Sequence, residues 1–457
     1  MRAKNKLSEK NFIFFGINYI VGFGFVVTIA NVISKGLWGM LIFTLTSFIA
    51  LIVMLAFSKG TQAFGNEVGG SYVYSKKAFP KQKWFIFLTG WNQFAQIPLF
   101  AATTPLFISQ LVSEFDKSNQ LIYQICSIGI FIILSLLNLL GLKLSKWFIL
   151  ITAIFKWIIL TLGFIIVIYF LITSGSITNV FQTNEKISIS IIASSVLSFF
   201  YAFGGIEGLA GISSDIETKR FRKLLFLIFL IVFVFYFIFY LIFIWIDTTN
   251  IITKETSFTF NKIFKITFGI TGSILFIIGG FFRNFTSTLS SNIYYSRIIV
   301  SLAQDNFIPN QLAKKAKNNE YKNAIYFSTF SSIISMIIFG IIPYYLNLED
   351  QFASILNAGI IVFFMQYLLA IFSILVLSFK KTQIQTSIFE KFLYIIGIIL
   401  IGFIILLNLF PPIVGENYQI NSLLILISYF SVILIGFFLW WSYSFYKKRK
   451  NLKSNCS

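Results

Sequence analysis

Runs of about twenty residues without a single charge follow one another along the whole chain, and no other feature restricts its fold as tightly. A helix of that length rises roughly 30 Å, which is the thickness of a bilayer's hydrocarbon core. Only 11% of the 457 residues are charged and 57% are hydrophobic, whereas soluble domains carry about a quarter charged residues. The sequence therefore reads as an all-α polytopic membrane protein forming a single membrane domain over 1–457. Twelve transmembrane helices are expected, near Phe12–Ser34, Leu37–Phe57, Trp84–Val112, Leu121–Leu142, Trp147–Ile172, Ile187–Ile212, Leu224–Ile246, Phe268–Ala303, Ala324–Leu346, Phe352–Phe379, Phe392–Leu409 and Ser422–Phe445. The eighth run is too long for a bilayer, so its end from about Tyr294 to Ala303 is expected to project into the cytoplasm.

Lys and Arg positions give the orientation. With the N-terminus inside, the inner segments hold 28 basic and 7 acidic residues, and the outer loops hold 6 and 8. The net charge of +20 thus lies on the cytoplasmic side of a cell membrane, with both termini inside. It marks contact with anionic membrane lipids rather than with nucleic acid. Stretches such as Arg220-Phe221-Arg222-Lys223 and Lys447-Lys448-Arg449-Lys450 read as cytoplasmic anchors.

Absences exclude several classes. There is no His, which removes His-based acid–base chemistry and the commonest metal ligand. Cys126 and Cys456 have neither disulfide nor metal spacing. No phosphate-cradling Gly-rich loop ends in Lys-Ser or Lys-Thr, so ATP-driven pumping by the chain itself is not expected, and neither a cofactor nor a metal is expected. A membrane enzyme would need clustered acids or His at a membrane face, and the buried acid here stands alone. The chain is read as no enzyme.

Two spans about 180 residues apart are interrupted by glycine: Val21-Gly22-Phe23-Gly24-Phe25 and Phe203-Gly204-Gly205-Ile206-Glu207-Gly208. Unwound backbone in a bilayer persists only where it is buried in protein or lines a site. A matched pair of Gly-interrupted helices in two halves of a chain points to a transporter's midplane site. Helix packing against the glycines is the plainer alternative. Spans one to five (1–172) and six to ten (187–379) each open on a broken helix. An odd helix number per repeat inverts the second copy, giving a 5+5 inverted repeat of LeuT-like type. Helices 11 and 12 (392–446) and a tail (447–457) follow.

The order of motifs resembles the amino acid–polyamine–organocation (APC) superfamily of amino acid permeases. Gly22-Phe23-Gly24-Phe25-Val26 stands in the place of its G-x-G-I-F element, and Gly69-Gly70-Ser71-Tyr72-Val73-Tyr74 matches its G-G-x-Y-x-Y loop, followed by Ala78-Phe79 and Gly90-Trp91. Phe203-Gly204-Gly205-Ile206-Glu207 matches span six, and Ser296-Arg297 with Ala303-x-Asp305-x-x-x-Pro309 matches the end of span eight. The family's E-x-K-N-P is replaced by Asp215-Ile216-Glu217-Thr218-Lys219, without proline. The resemblance implies a secondary amino acid transporter working by alternating access.

Helix ends expose N–H donors at their N-termini and carbonyls at their C-termini. Donors around Gly22–Phe25 suit a substrate carboxylate, and carbonyls around Phe199–Gly204 suit its ammonium. Ionisable groups within spans are functional candidates. The resemblance gives Lys156 the place of a sodium ion in sodium-coupled relatives, against broken span one, and hence proton-coupled uptake; a structural ammonium holding span-one carbonyls is the alternative. Glu207 is read three ways: proton relay, amine ligand, or acceptor for freed backbone N–H groups. Arg283 either pairs with Glu207 or favours an acidic substrate. Asn92 and Gln96 share a face by i,i+4 spacing, with interhelical bonding or a place in the pocket both open. An amino acid or polyamine exchanger has the same architecture, a non-transporting sensor is a further reading, and monomer and homodimer both remain open.

Overall fold

The computed structural model describes residues 8–65, 67, 69–140, 142–174, 187–211, 213, 216, 218, 220–246, 251, 259–316, 320–345, 351–380, 384–418 and 420–455. Within these, the side chains of 23, 117, 140, 142–150, 174, 283–293, 343, 351–354, 420–421 and 450–455 are outside the description. Phe23 and Arg283 are thus placed by backbone only, and Asp215, Glu217, Lys219 and Cys456 lie outside the described residues.

Every extended element among the described residues is helical. The order is α1 (Glu9–Ile20), α2 (Phe23–Ile33), α3 (Leu37–Phe64), α4 (Ser71–Ala78), α5 (Lys83–Ala101), α6 (Thr103–Ser113), α7 (Gln120–Leu137), α8 (Leu142–Ser174), α9 (Ile189–Phe200), α10 (Ile206–Gly211), α11 (Phe221–Ile244), α12 (Thr259–Gln304), α13 (Lys322–Met336), α14 (Ile342–Tyr345), α15 (Gln351–Lys380), α16 (Ile388–Leu409) and α17 (Ile420–Asn455). Ten helices among the described residues are long and apolar enough to cross a membrane. The pair α1–α2, bent by 53°, adds an eleventh candidate. The apolar segment Ile189–Phe203 is shorter, and its chain resumes as α10 after a two-glycine break.

Helix ends follow local chemistry. Ser8 and Ser188 accept from backbone N–H groups at the starts of α1 and α9, and Ser387 with Glu390 forms a capping box on α16. Pro98 lies within α5, and the break at Ala102 divides the third span into α5 and α6. The eighth span starts earlier than an uncharged run suggests. Helix resumes at Thr259, and Phe260, Ile263 and Phe264 recur at helical spacing and are buried despite Lys262 and Lys265 between them. Gly269 then takes φ 63°, turning the chain before the main part of α12.

α15 lies among α3, α4, α5, α9, α16 and α17, and α8 runs along α12. The outward faces of α7, α8, α13, α16 and α17 carry exposed Ile133, Ile165, Phe330, Ile399, Leu434 and Phe438, an apolar girdle suited to lipid. The inward faces converge on the two interrupted segments, where Val21, Phe25, Phe203 and Ile206 are almost fully buried.

Candidate functional site

At the first break, α1 ends as Val21 N–H donates to Ile17 O at 2.9 Å. Gly22 then adopts an extended conformation and α2 starts at Phe23. The carbonyls thus freed are claimed from α8: Lys156 Nζ donates to Asn18 O at 2.6 Å and to Val21 O at 2.8 Å. Lys156 is only 3% exposed and also lies 5.3 Å from the Trp157 ring centre. A cleft lined by Val26, Lys156, Ile159, Phe264, Phe276 and Gly279 opens beside it.

At the second break, α9 tightens into a 3-10 turn over Tyr201–Phe203, Gly204 is extended, and Gly205 takes φ +115°, a conformation other residues rarely adopt. Gly205 N–H donates to both carboxylate oxygens of Glu207 at 3.1 Å, and the Tyr367 hydroxyl on α15 donates to Oε2 at 2.7 Å. Glu207 is 1% exposed and caps the helix that carries it.

Both breaks meet. A Cβ on Gly24 would stand 2.2 Å from Tyr201 O, so the start of α2 rests directly on the backbone of the 3-10 turn. Tyr236 of α11 links them further. Its hydroxyl donates to Ala202 O at 2.8 Å, lies 3.5 Å from Ile20 O, and its ring stacks on Phe25 at 4.2 Å.

The bookkeeping of the four helix ends is asymmetric. The carbonyl end of α1 has a cation, and the N–H end of α10 has a carboxylate. Gly22, at the head of α2, has no side chain to cap the first N–H groups of that helix, and the α9 segment closes with Gly204 N–H donating to Tyr201 O. The N–H end of α2 carries partial positive charge and the carbonyl end of the α9 segment partial negative charge. These two ends lie together.

On one side of the breaks is an aromatic wall. Phe100 stacks on Tyr201 at 5.1 Å and 7°, Phe363 lies 4.9 Å from Phe100, and the Phe363 ring packs on Gly204. On the other side is a polar network. Ser71 Oγ donates to Gln93 Oε1 at 2.9 Å, and Gln366 Nε2 donates to Ser71 Oγ at 3.0 Å. Gln93 donates to the Tyr294 hydroxyl, and Gln96 accepts from Tyr295 while donating to Gln366. Asn92 Nδ2 donates to Val362 O at 2.9 Å and its Oδ1 accepts from Tyr429 at 3.3 Å. Both Asn92 and Gln96 are therefore engaged between helices. Beyond them, Asp305 accepts from Tyr72 and from Lys76, the latter at 2.7 Å. Burial and the Asp305 carboxylate push the Tyr72 phenol up, keeping it a donor. The motifs Gly69–Tyr74 and Ala303–Pro309 thus touch one another.

Sequence reasoning missed Tyr236 and Tyr367. A signal existed for Tyr236, whose hydroxyl falls in the most hydrophobic span, of mean hydropathy 3.1. A donor there needs a partner within the protein.

Interrupted helices buried within a sheath of apolar helices define a membrane protein. The comparison with known families is specific: residues 7–438 match the family model described as amino acid permease. The chain belongs to this family, within the APC superfamily. It is 32% identical to the uncharacterized protein MG225 of Mycoplasma genitalium over 98% of this chain and 97% of that one. It is also 28% identical to the uncharacterized protein MG226 of that organism, covering 96% of this chain and 95% of the relative. To the Mycoplasma pneumoniae homolog of MG226 it is 29% identical, covering 95% and 94%. Family membership points to transport rather than to enzymatic chemistry.

Proposed function

We propose that the protein is a secondary transporter carrying amino acids across the cell membrane by alternating access, with proton-coupled uptake. The observation that carries this reading is the pattern of helix ends. Lys156 and Glu207 occupy one end of each break, leaving an N–H end and a carbonyl end of opposite polarity side by side. A carboxylate and an ammonium on one carbon fit that pair, and backbone groups recognise what every amino acid shares.

In this reading twelve spans form the 5+5 inverted repeat plus two, with both termini cytoplasmic. The Phe100–Tyr201–Phe363 wall then closes the outer side, and the Ser71–Gln93–Gln96–Gln366 network with the Asp305 cluster closes the inner side. Lys156 serves coupling: its ammonium replaces a bound cation on the α1 carbonyls, and its deprotonation would release them. Glu207 serves as the acceptor that Gly205 and Tyr367 require, and its protonation would loosen α10 from α15.

The test is uptake of a labelled amino acid panel by purified protein in liposomes, with and without a pH gradient and with and without internal substrate. Accumulation driven by the gradient is expected. Uptake only into loaded vesicles would make the protein an exchanger, and no flux for any amino acid or amine would overturn the reading.

A further inference from the structure

The segment Asn18–Val21 is gripped from two directions. From α8, Lys156 holds the carbonyls of Asn18 and Val21. At the start of α10, Gly205 just before the helix and Gly208 within it receive the ring of Tyr19. A Cβ on Gly205 would stand 2.9 Å from Tyr19 Cδ1, and one on Gly208 would stand 2.7 Å from Cε1 and 2.8 Å from the hydroxyl oxygen. The next turn, at Gly211, receives the Tyr294 ring in the same manner. Phe15 stacks on Tyr19 at 5.8 Å and 12°, so a neighbour on its own helix holds the face of the ring while its edge meets the two glycines.

Between the two grips there is almost no slack. The Lys156 bonds act on Asn18 and Val21, which flank Tyr19 in sequence. Any shift of the α1 end relative to α8 therefore carries the Tyr19 ring with it. That ring lies on the helix that bears Glu207, whose carboxylate is bound by Gly205 itself. Packed elements pass displacement on because close-packed interiors deform little.

We propose that Tyr19 is a positioning residue that makes the end of α1 and the helix α10 shift as one unit, so that the two breaks change conformation together during transport. This rests on the transport reading above. The ring, rather than the hydroxyl, does the coupling, since ring carbons meet both glycines whereas the hydroxyl meets Gly208 alone.

The experiment is amino acid exchange in loaded proteoliposomes, read as kcat and KM per inserted protein, with whichever amino acid the wild type carries. Couplings carried by packed side chains amount to about 0.5–2 kcal/mol, or roughly 2- to 30-fold. Gly208→Ala, whose methyl displaces the ring, is expected to lower kcat within that range at unchanged KM. Tyr19→Leu is expected to do the same, and Tyr19→Phe to stay at wild type. The pair Gly208→Ala with Tyr19→Leu is expected to recover kcat relative to either alone, because the smaller side chain meets the added methyl. Unchanged kcat in both single variants, equal loss in Tyr19→Phe and Tyr19→Leu, or additive losses in the pair overturns the proposal. A merely structural contact would lower the folded yield and leave kcat per inserted protein unmoved. Absence of flux in the wild type would instead bring down the transport reading beneath it.

Discussion

Replacing Gly24 by alanine sets two backbones against each other. The added carbon would lie 2.2 Å from Tyr201 O, 2.6 Å from Tyr201 C and 2.9 Å from Ala202 N, and real Cβ atoms stay beyond 3.0 Å from such neighbours. The gap must open by about 0.8 Å, the difference between 3.0 and 2.2 Å. No side-chain rotation relieves it, because all three atoms belong to main chain. Overpacking of this kind costs about 1–3 kcal/mol. For a chain of this length the unfolding entropy is about 1 kcal/mol/K, so Tm should fall by about 1–3 °C. Gly22→Ala is the control. Its nearest neighbour is Ile20 O at 3.9 Å, and its φ of −168° is open to any residue, so stability should stay within about 0.5 kcal/mol of wild type. Its methyl does enter the space before the α2 donors, and transport should fall all the same. Thermal unfolding in one detergent, beside uptake in liposomes, separates the two variants. A Gly24→Ala midpoint at or above that of Gly22→Ala would refute the claim that the two breaks rest on each other.

Lys156→Ala should abolish gradient-driven uptake while the protein still inserts, and should cost about 1–3 kcal/mol for each carbonyl left unpaired; wild-type-like driven uptake would reduce Lys156 to a structural tie. Glu207→Ala strips the acceptor from both Gly205 N–H and the Tyr367 hydroxyl, whereas Tyr367→Phe removes a single donor. The first should therefore destabilise more in thermal unfolding, and equal losses would contradict the capping role. Hydrogen bonds from Ser118, then Asn119 and Tyr123, hold Asp116 at about 2. A depressed carboxylate lends stability above its ordinary pKa and loses it as pH falls through the folded value, so the Asp116–Asn119 turn should stay ordered at pH 4 and loosen near pH 2. Carboxyl titration of Asp116 by NMR checks this, and a midpoint near 4 would sink it.

Much of this was legible in the chain because hydrocarbon enforces simple rules. Glycine clusters inside uncharged runs located both breaks, and a lysine too deep to reach water stood out as a candidate that the family resemblance set against the first. What escaped is tertiary. The start of α12 at Thr259 was hidden because Lys262 and Lys265 interrupt an apolar face that only helical spacing reveals. Asn92 and Gln96 share a face by spacing, but spacing does not say which helix they meet. That Tyr19 rests on Gly205 and Gly208, or that Tyr367 reaches Glu207, depends on contacts across 160 or more positions. Among Phe, Ile and Leu a tyrosine is an inconspicuous letter, yet its one hydroxyl must find an acceptor.

The opposite charges of Lys156 and Glu207 bear on electrical work. With both ionised, the pair sums to zero, and a zwitterionic amino acid adds nothing to that sum. A membrane potential then gains no purchase on the pair, loaded or empty. On the transport reading proposed above, removal of one proton from Lys156 would leave the pair with a single negative charge. A full charge crossing 100 mV is worth about 2.3 kcal/mol, and a charge moving part of the way feels part of it. On that reading, the voltage dependence of reorientation would therefore report whether the lysine is deprotonated in that step.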